Sequence, residues 1–285
     1  MKNSATCLFG VTWLVLAATT VGAQSPLEQL RLELEKSQRL AKELRSIENI
    51  ENTALDRALH DALLVRDFNE ARRLIESGAG VNSRDEFGAT PLHRAASREA
   101  PDELLRLLIE RGAEVNGVDN GGRAALHLAA LANNTGHIRL LLAAGATMDA
   151  ADNEAVTPLM NACERGHLAT AKQLFAAGAN INAASRFGVT PLHYAAAAGE
   201  WRKAGDRTHM EMVQWLIAEG GADPHVVSPK YGSAYEVSLR MESELADDTQ
   251  RLAIQQEITA LLKGATAASP KEGRHTPKPK GRVLD

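Results

Sequence analysis

The sequence is poor in cysteine and in aromatic residues. Its 285 residues include two cysteines, and Phe, Trp and Tyr together make up 4%. A core built around large rings is therefore excluded, and a chain rich in alanine and leucine favours thin packing of helix against helix. Cys7 lies in a segment that we expect to be removed, so the mature chain retains Cys163 alone and forms no internal disulfide bond.

An excess of positive charge and the known catalytic signatures are also absent. The formal net charge is −4, whereas a nucleic-acid-binding protein presents a basic face. The sequence has no glycine-rich phosphate loop, no G-x-S-x-G and no H-E-x-x-H. Its histidines, cysteines and carboxylates show no recognised metal-ligand spacing. We therefore predict no enzymatic activity, no cofactor, no metal ion and no nucleic-acid partner.

The first 23 residues have the pattern of a secretory signal peptide. Lys2 precedes an apolar run over residues 8–18, and the small residues at 21–23 fit a peptidase site before Gln24. The run is too short to span a membrane, although an uncleaved anchor is the alternative. We expect cleavage, no stable membrane insertion afterwards, and an exported location. That location is the periplasm if the host is a Gram-negative bacterium, and the extracellular space otherwise.

A short segment recurs at a fixed period in the middle of the chain. Residues 89–96 read ATPLHRAA, 156–163 read VTPLMNAC and 189–196 read VTPLHYAA, with a weaker copy, RAALHLAA, at 123–130. The steps between the threonine positions are 34, 33 and 33 residues. A period of this size indicates a stacked-repeat solenoid rather than a closed globule.

Each repeat predicts two helices and a loop. The threonine is a good N-cap and the proline after it suits the first helical position, where a missing N–H has no cost. The second helix carries apolar residues at helical spacing and ends at a glycine, which adopts a left-handed C-cap without strain. These glycines are Gly78, Gly112, Gly145, Gly178 and Gly221.

These residues resemble the ankyrin-repeat family over about residues 53–263. The resemblance implies an all-α solenoid of stacked helix-turn-helix repeats, about six in number, with the first and last divergent. It also implies that His93, His127 and His193 form hydrogen bonds that tie neighbouring turns together, and that the family's usual role is protein binding. Cys163 occupies the second alanine position of its repeat, where we expect a buried small residue.

Three segments depart from the repeats. Residues 24–52 predict an N-terminal helix, which is either a short coiled coil that pairs two chains through residues 26–50 or a solvated helix that covers the first repeat. The repeat that contains Thr190 is about 10 residues longer than the others, and the excess, near 200–208, predicts a loop between its two helices. Residues 264–285 are basic and rich in proline, so we expect a disordered tail.

The remaining candidates for function are surface residues. By family alignment, the tips of the turns and the exposed side of the first helices form a concave strip that binds a protein partner. Its composition, together with that of the loop near 200–208, is typical of interfaces. The predicted partner-binding residues are Arg84, Arg94, Arg98, Asn120, Leu128, Leu131, Asn153, Asn161, Arg165, Arg186, Tyr194, Trp201 and Arg202.

The sequence therefore predicts a non-enzymatic, exported adaptor with a protein partner. By resemblance, exported ankyrin-repeat proteins include a small bacterial group linked to catalase and oxidative-stress defence. Three alternatives remain at this point: a secreted effector that acts on host proteins, a metal or haem protein that uses the histidines, and a structural homodimer through the N-terminal helix.

Overall fold

The structure is a computed structural model that describes residues 36–40, 53–97, 100–197, 207–245 and 247–267. The chain divides into two compact units, 1–55 and 56–285. In the first unit, residues 36–40 are helical. The predicted signal peptide, most of the N-terminal helix, the core of the insertion and the tail beyond 267 lie outside the described residues.

Within the described ranges the helices form six consecutive pairs, each with a first and a second helix. A short β-hairpin lies between the fifth and sixth pairs. Its two strands, β1 (Val227–Ser228) and β2 (Gly232–Ser233), are antiparallel and have two residues each. The first helices are α1 (53–64), α3 (Pro91–Ser97), α5 (Ala125–Leu131), α7 (Pro158–Glu164), α9 (Pro191–Ala196) and α11 (Ala234–Glu244). The second helices are α2 (Phe68–Glu76), α4 (Asp102–Glu110), α6 (Thr135–Ala143), α8 (Leu168–Ala176), α10 (Thr208–Ala218) and α12 (Thr249–Ala267).

The helices stack in two parallel rows, which confirms the predicted all-α solenoid. From α3 to α11 each first helix contacts the next first helix, and from α2 onward each second helix contacts the next second helix. The leucine of each repeat segment is the centre of the stack, and Leu92, Leu126, Leu159 and Leu192 are all at most 1% exposed. Burial of one such side chain contributes about 1.5–3 kcal/mol, and each of these leucines is buried between neighbouring repeats.

Small residues let the first helices approach one another. The paired small positions Ala95 and Ala96 are fully buried, and the same holds for their equivalents in the next three repeats. Cys163 is one of these equivalents and is completely buried, as predicted. Burial raises the pKa of the Cys163 thiol, so the side chain acts as a small apolar residue rather than as a nucleophile.

The second helices end at a left-handed glycine, as the sequence predicts. Gly112 has φ +87°, and the N–H of the following Ala113 donates to the Leu108 oxygen at 3.0 Å. The carbonyl groups at the end of α4 are thereby satisfied by the chain as it leaves the helix. The equivalent glycines at 78, 145, 178 and 221 all have positive φ.

The predicted role of the repeated histidines is confirmed. In His93, Nδ1 accepts from the Thr90 N–H at 3.2 Å, and Nε2 donates to the Arg123 oxygen of the next repeat at 2.9 Å. His127 bonds in the same way to the Ala124 N–H and the Val156 oxygen, at 3.1 and 3.0 Å. Each imidazole therefore fixes the start of its own helix and holds the next turn against it.

Met160 interrupts this series. Its sulfur lies 3.4 Å from the Thr157 nitrogen and takes the first role of the histidine. A thioether has no N–H to donate, so it cannot make the second bond to the following repeat. The series resumes at His193, whose Nε2 bonds to the Gly232 oxygen at 3.0 Å.

A second series of bonds runs in the opposite direction, and sequence reasoning missed it. Histidines near the start of the second helices donate to carbonyl oxygens at or just after the end of the preceding repeat's first helix. His137 bonds to the Ala100 oxygen at 2.8 Å, His167 to the Leu131 oxygen at 3.1 Å and His209 to the Glu164 oxygen at 2.9 Å. In α12 Gln255 takes this place, with its Nε2 3.0 Å from the Ala196 oxygen.

The two terminal repeats differ from the inner ones. In the first repeat, His60 lies within α1 and its Nε2 is 3.2 Å from the Ser83 oxygen, so this helix does link to the following turn although it lacks the Thr-Pro pair. In the last repeat, α12 continues to Ala267, so residues 264–267 are helical rather than part of the tail. The connection from α9 to α10 spans 197–207, whereas the connection from α7 to α8 spans 165–167.

Replacing His127 with alanine should destabilise the fold strongly. The change leaves the Ala124 N–H and the Val156 oxygen buried without their partner, and each such group costs about 1–3 kcal/mol. We expect the free energy of unfolding in urea to fall by about 2–6 kcal/mol. His225→Ala, at an exposed position, is the matched control and should change it by less than about 0.5 kcal/mol. Equal losses in the two variants would contradict the proposed bridging role.

Stability should also fall at mildly acid pH. The pKa values of His93, His127 and His193 lie below the ordinary 6.5, because burial disfavours the imidazolium more than the hydrogen bonds favour it. As the pH falls, these histidines are therefore protonated in the unfolded chain before they are protonated in the folded one. Their contribution to the free energy of unfolding is fully present above pH 6.5 and is lost as the pH falls through their pKa values in the folded state.

We expect the free energy of unfolding to decrease steadily between pH 6.5 and 5. The carboxyl groups of Asp85 and Asp119 also have lowered pKa values, but from an ordinary 3.8, so their contribution is lost below this window. His193→Gln should make the decrease shallower, and His225→Gln should leave it unchanged. A free energy that stays constant or rises over this interval would contradict the assignment.

Candidate functional site

The turns that precede the first helices form a row of tips with an internally fixed shape. Asp85 Oδ1 accepts from the N–H groups of Phe87 and Ala89, both at 2.9 Å. Asp119 and Asp152 close the next two turns in the same way, and Ser185 Oγ accepts from the Val189 N–H at 3.2 Å. Because each tip is held by its own side chain, its surface is rigid before any partner arrives.

Two of these aspartates are also neutralised by arginine. Asp85 Oδ2 accepts from the Arg94 guanidinium, and Asp119 Oδ2 pairs with Arg123 at 2.8 Å. Burial raises the pKa of each carboxyl, but the arginine and backbone hydrogen bonds outweigh it, so both pKa values lie below the usual range. These two tip carboxylates are thus paired within the chain.

Neighbouring tips are joined to one another. The Asn120 N–H donates to the Phe87 oxygen at 3.0 Å, and the Asn153 N–H to the Gly121 oxygen at 3.1 Å. Asn120 Nδ2 also donates to the Glu86 oxygen, and Asn153 Nδ2 to the Asn120 oxygen. Asn120 and Asn153, both predicted to bind the partner, are exposed. Their side-chain amide groups are nevertheless used to hold neighbouring repeats together.

The two predicted arginines at the tips are also exposed. Arg84 Nη1 donates to the Gly88 oxygen at 3.1 Å and to the Val118 oxygen at 2.6 Å. Arg186 contributes its backbone N–H to the Glu154 oxygen at 2.8 Å. Arg84 is thus held within the scaffold, whereas the Arg186 side chain stands at the surface of its tip.

The remaining predicted residues, from the first helices and the insertion, divide into four groups. Asn161 is only 8% exposed, so its expected place on the open surface is wrong, because α7 turns this side chain into the stack. Leu131 and Arg165 are half-buried at the end of their helices. Arg94, Leu128 and Tyr194 line open clefts. Arg98, Trp201 and Arg202 lie outside the described residues.

The larger cleft, of about 550 Å³, lies between α9, α11 and the tips beside them. Its rings are Phe187, Tyr194 and Tyr231, and Met241 and Val237 from α11 complete an apolar wall. The Lys230 ammonium lies over two of the rings, 4.8 Å from the Phe187 centroid and 4.9 Å from that of Tyr231. Phe187 remains 37% exposed despite this cover.

The charges at this cleft are mixed in sign. Glu154 and Glu244 line it together with Lys230 and Arg240. Burial, followed by the nearby charges of Glu164, Asp152 and Glu154, raises the pKa of Tyr194 to about 12. The phenol therefore stays neutral at physiological pH and offers a hydrogen bond beside the apolar wall.

A smaller cleft, of about 310 Å³, lies between α3, α5 and their tips. Phe87 stands at its rim and is 58% exposed, with the Arg94 guanidinium 5.5 Å from the ring centroid. Leu128 supplies the apolar wall, and the Arg123–Asp119 pair closes the far side. The cleft is thus apolar at its centre and charge-paired at its edges.

Sequence reasoning missed most of the larger cleft. Phe187 was recognisable, because it precedes Thr190 by the same three residues that separate Phe87 from Thr90. Lys230, Tyr231 and Met241 lie in the divergent last repeat, where no motif marks the residues that face its neighbour. The β1–β2 hairpin and the packing of α11 against α9 bring them to Tyr194.

Among the residues that the structure describes, no group of three or more His, Cys, Asp or Glu side chains is placed to hold a metal ion. None of the helices described there has the length and apolar character that a membrane crossing requires.

A family model described as ankyrin repeats (3 copies) matches residues 59–152 and 138–228, which together extend over more than half of the chain. No curated protein matches the chain at a significant level.

Proposed function

Because this chain belongs to the ankyrin-repeat family, we propose that it is a non-catalytic adaptor that binds one protein partner. Proteins built from these repeats generally mediate protein–protein interaction, and a solenoid exposes a long continuous surface suited to that role. We place the partner on the exposed surface of the tips and the first helices, which we call the tip–helix strip.

The observation that supports this proposal is the larger cleft. Exposed rings on a rigid scaffold are the side chains that dominate interface energies, since they bury large areas at little entropic cost. Here Phe187, Tyr194 and Tyr231 line one concavity whose shape is fixed by the hydrogen bonds of the stack. A typical anchor in such a pocket contributes 2 kcal/mol or more.

We also propose that the chain is exported. Support comes from the residue pattern of 1–23, and the resulting compartment is the periplasm if the host is Gram-negative. A part in oxidative-stress defence rests on resemblance to exported ankyrin-repeat proteins alone. A partner found outside the producing cell would instead favour the secreted effector. Pairing of two chains through residues 26–50 remains a prediction about the N-terminal helix.

Capture of the partner should depend on the larger cleft. The tagged mature chain is incubated with a periplasmic extract of the producing cell, and bound proteins are identified by mass spectrometry. We expect Phe187→Ala/Tyr194→Ala to lose the partner by at least tenfold, because two anchors are removed. Lys172→Ala, at an exposed position on α8, should retain it. Equal recovery with all three proteins would rule out this surface.

Export should be visible at the amino terminus of the mature protein. We expect mass spectrometry of the chain purified from the exported fraction to give Gln24 as the first residue, because the small residues before it fit signal peptidase. A Gly22→Leu/Ala23→Leu variant should retain residues 1–23. A wild-type protein that begins at Met1 and stays in the cytosol would contradict the proposal.

A further inference from the structure

We propose that the partner contributes an extended segment with two uncharged apolar side chains, seven to nine residues apart, one for each cleft. The inference rests on the proposed protein-binding function and specifies what that partner must look like. The two clefts, rather than the larger one alone, then form the binding site.

The two clefts are equivalent positions of the repeat. Phe87 and Phe187 both stand three residues before the threonine, and His93 and His193 both lie behind them. The far wall comes in each case from the next first helix, with Leu128 in α5 and Val237 in α11 at the same repeat position. The chain thus presents the same kind of pocket twice.

The tips between the two clefts differ from both. At the place of the phenylalanine they carry Gly121 and Glu154. Neither offers an apolar surface, so a bound segment has nothing there to anchor it. Recognition is therefore concentrated at the ends of a four-repeat strip.

The charge at both clefts favours an uncharged anchor. In the smaller one Arg94 and Arg123 are paired with Asp85 and Asp119. In the larger one two cations, Lys230 and Arg240, face two carboxylates, Glu154 and Glu244. Because neither cleft has a net charge to neutralise, a charged side chain would lose its hydration without compensation, whereas a Phe, Trp, Leu or Met fits the rings.

The backbone of the tips leaves no place for an added strand. The N–H groups of Asn120, Asn153 and Arg186 already bond to the preceding tip, and Ser228 Oγ bonds to the Phe187 oxygen at 2.6 Å. Strand addition needs a free row of such groups. The segment must therefore bind through its side chains.

The separation of the clefts sets the spacing of the anchors. Three steps along the row of first helices, from α3 through α5 and α7 to α9, separate the two phenylalanines. Packed helices lie about 8–10 Å apart, so the clefts are roughly 24–30 Å apart. An extended chain rises about 3.3 Å per residue, which gives the seven to nine residues.

The chain's own tail does not meet this requirement. Among residues 268–285 the only large apolar side chains are Val283 and Leu284. Adjacent residues cannot reach two clefts that lie three repeats apart. The tail is therefore excluded as the occupant, and we propose a separate polypeptide.

Selection from a random peptide library tests this inference. The full mature chain selects from a phage library of 16-residue peptides, and the affinities of the enriched peptides are measured by fluorescence anisotropy. We expect two large apolar residues at a spacing of seven to nine. Phe87→Ala and Phe187→Ala should each weaken binding at least tenfold, because each removes one anchor site.

Two controls separate loss of binding from loss of folding. Val65→Ala changes a 75% exposed apolar residue outside both clefts and should bind like wild type. Thermal unfolding followed by circular dichroism checks that every variant folds. Peptides whose affinity falls in Phe187→Ala but not in Phe87→Ala would overturn the two-cleft inference and leave the proposed function intact.

No enriched peptide together with no captured partner would overturn both the inference and the proposed function. A dimer in sedimentation velocity that Phe187→Ala dissociates would make a second copy the occupant and also overturn the inference.

Discussion

Along the described stack, two neighbouring helix pairs have two requirements: the apolar face between them must be covered, and a carbonyl oxygen of the later pair needs a donor from the earlier one. The imidazoles of His93, His127 and His193 join the two requirements, because one ring fixes the start of its own helix and also reaches the following turn. A buried carbonyl without such a partner costs about 1–3 kcal/mol. The leucines of the same segments then pack in register, since their helices are held at a fixed offset.

This stacking makes the tips rigid, and rigid tips give the two clefts a fixed shape for binding. Two series of bonds, one forward from the first helices and one backward from the second helices, hold each repeat against its neighbours. Within each tip an aspartate or serine closes the turn. The rings at the rims of the clefts therefore lie on a surface that is already ordered in the folded chain. Binding then has a smaller entropic cost, because this surface does not have to be ordered by the partner.

The residues that hold the stack together are distinct from those that can bind. Asn120, Asn153 and Arg84 look like binding residues because they are polar and exposed, yet their side chains are used between neighbouring repeats. The rings of Phe87 and Phe187 stay 58% and 37% exposed, with the Lys230 ammonium over the Phe187 ring. Exposure alone is therefore a poor guide on a solenoid, and the hydrogen-bond partners decide which side chains remain available.

The sequence alone determined the repeat period, the all-α stack and the left-handed glycines, and its family resemblance implied the scaffold role of the histidines. It could do so because each of these depends on contacts within one repeat or with its equivalent in the next. Only the tertiary structure showed that Asn161 turns inward and that α12 continues to Ala267. It also assembled the larger cleft, whose walls come from residues as far apart as Glu154 and Glu244. The physical reason is that no local pattern records how the divergent last repeat packs against α9, and that packing alone brings Tyr231 and Met241 beside Tyr194.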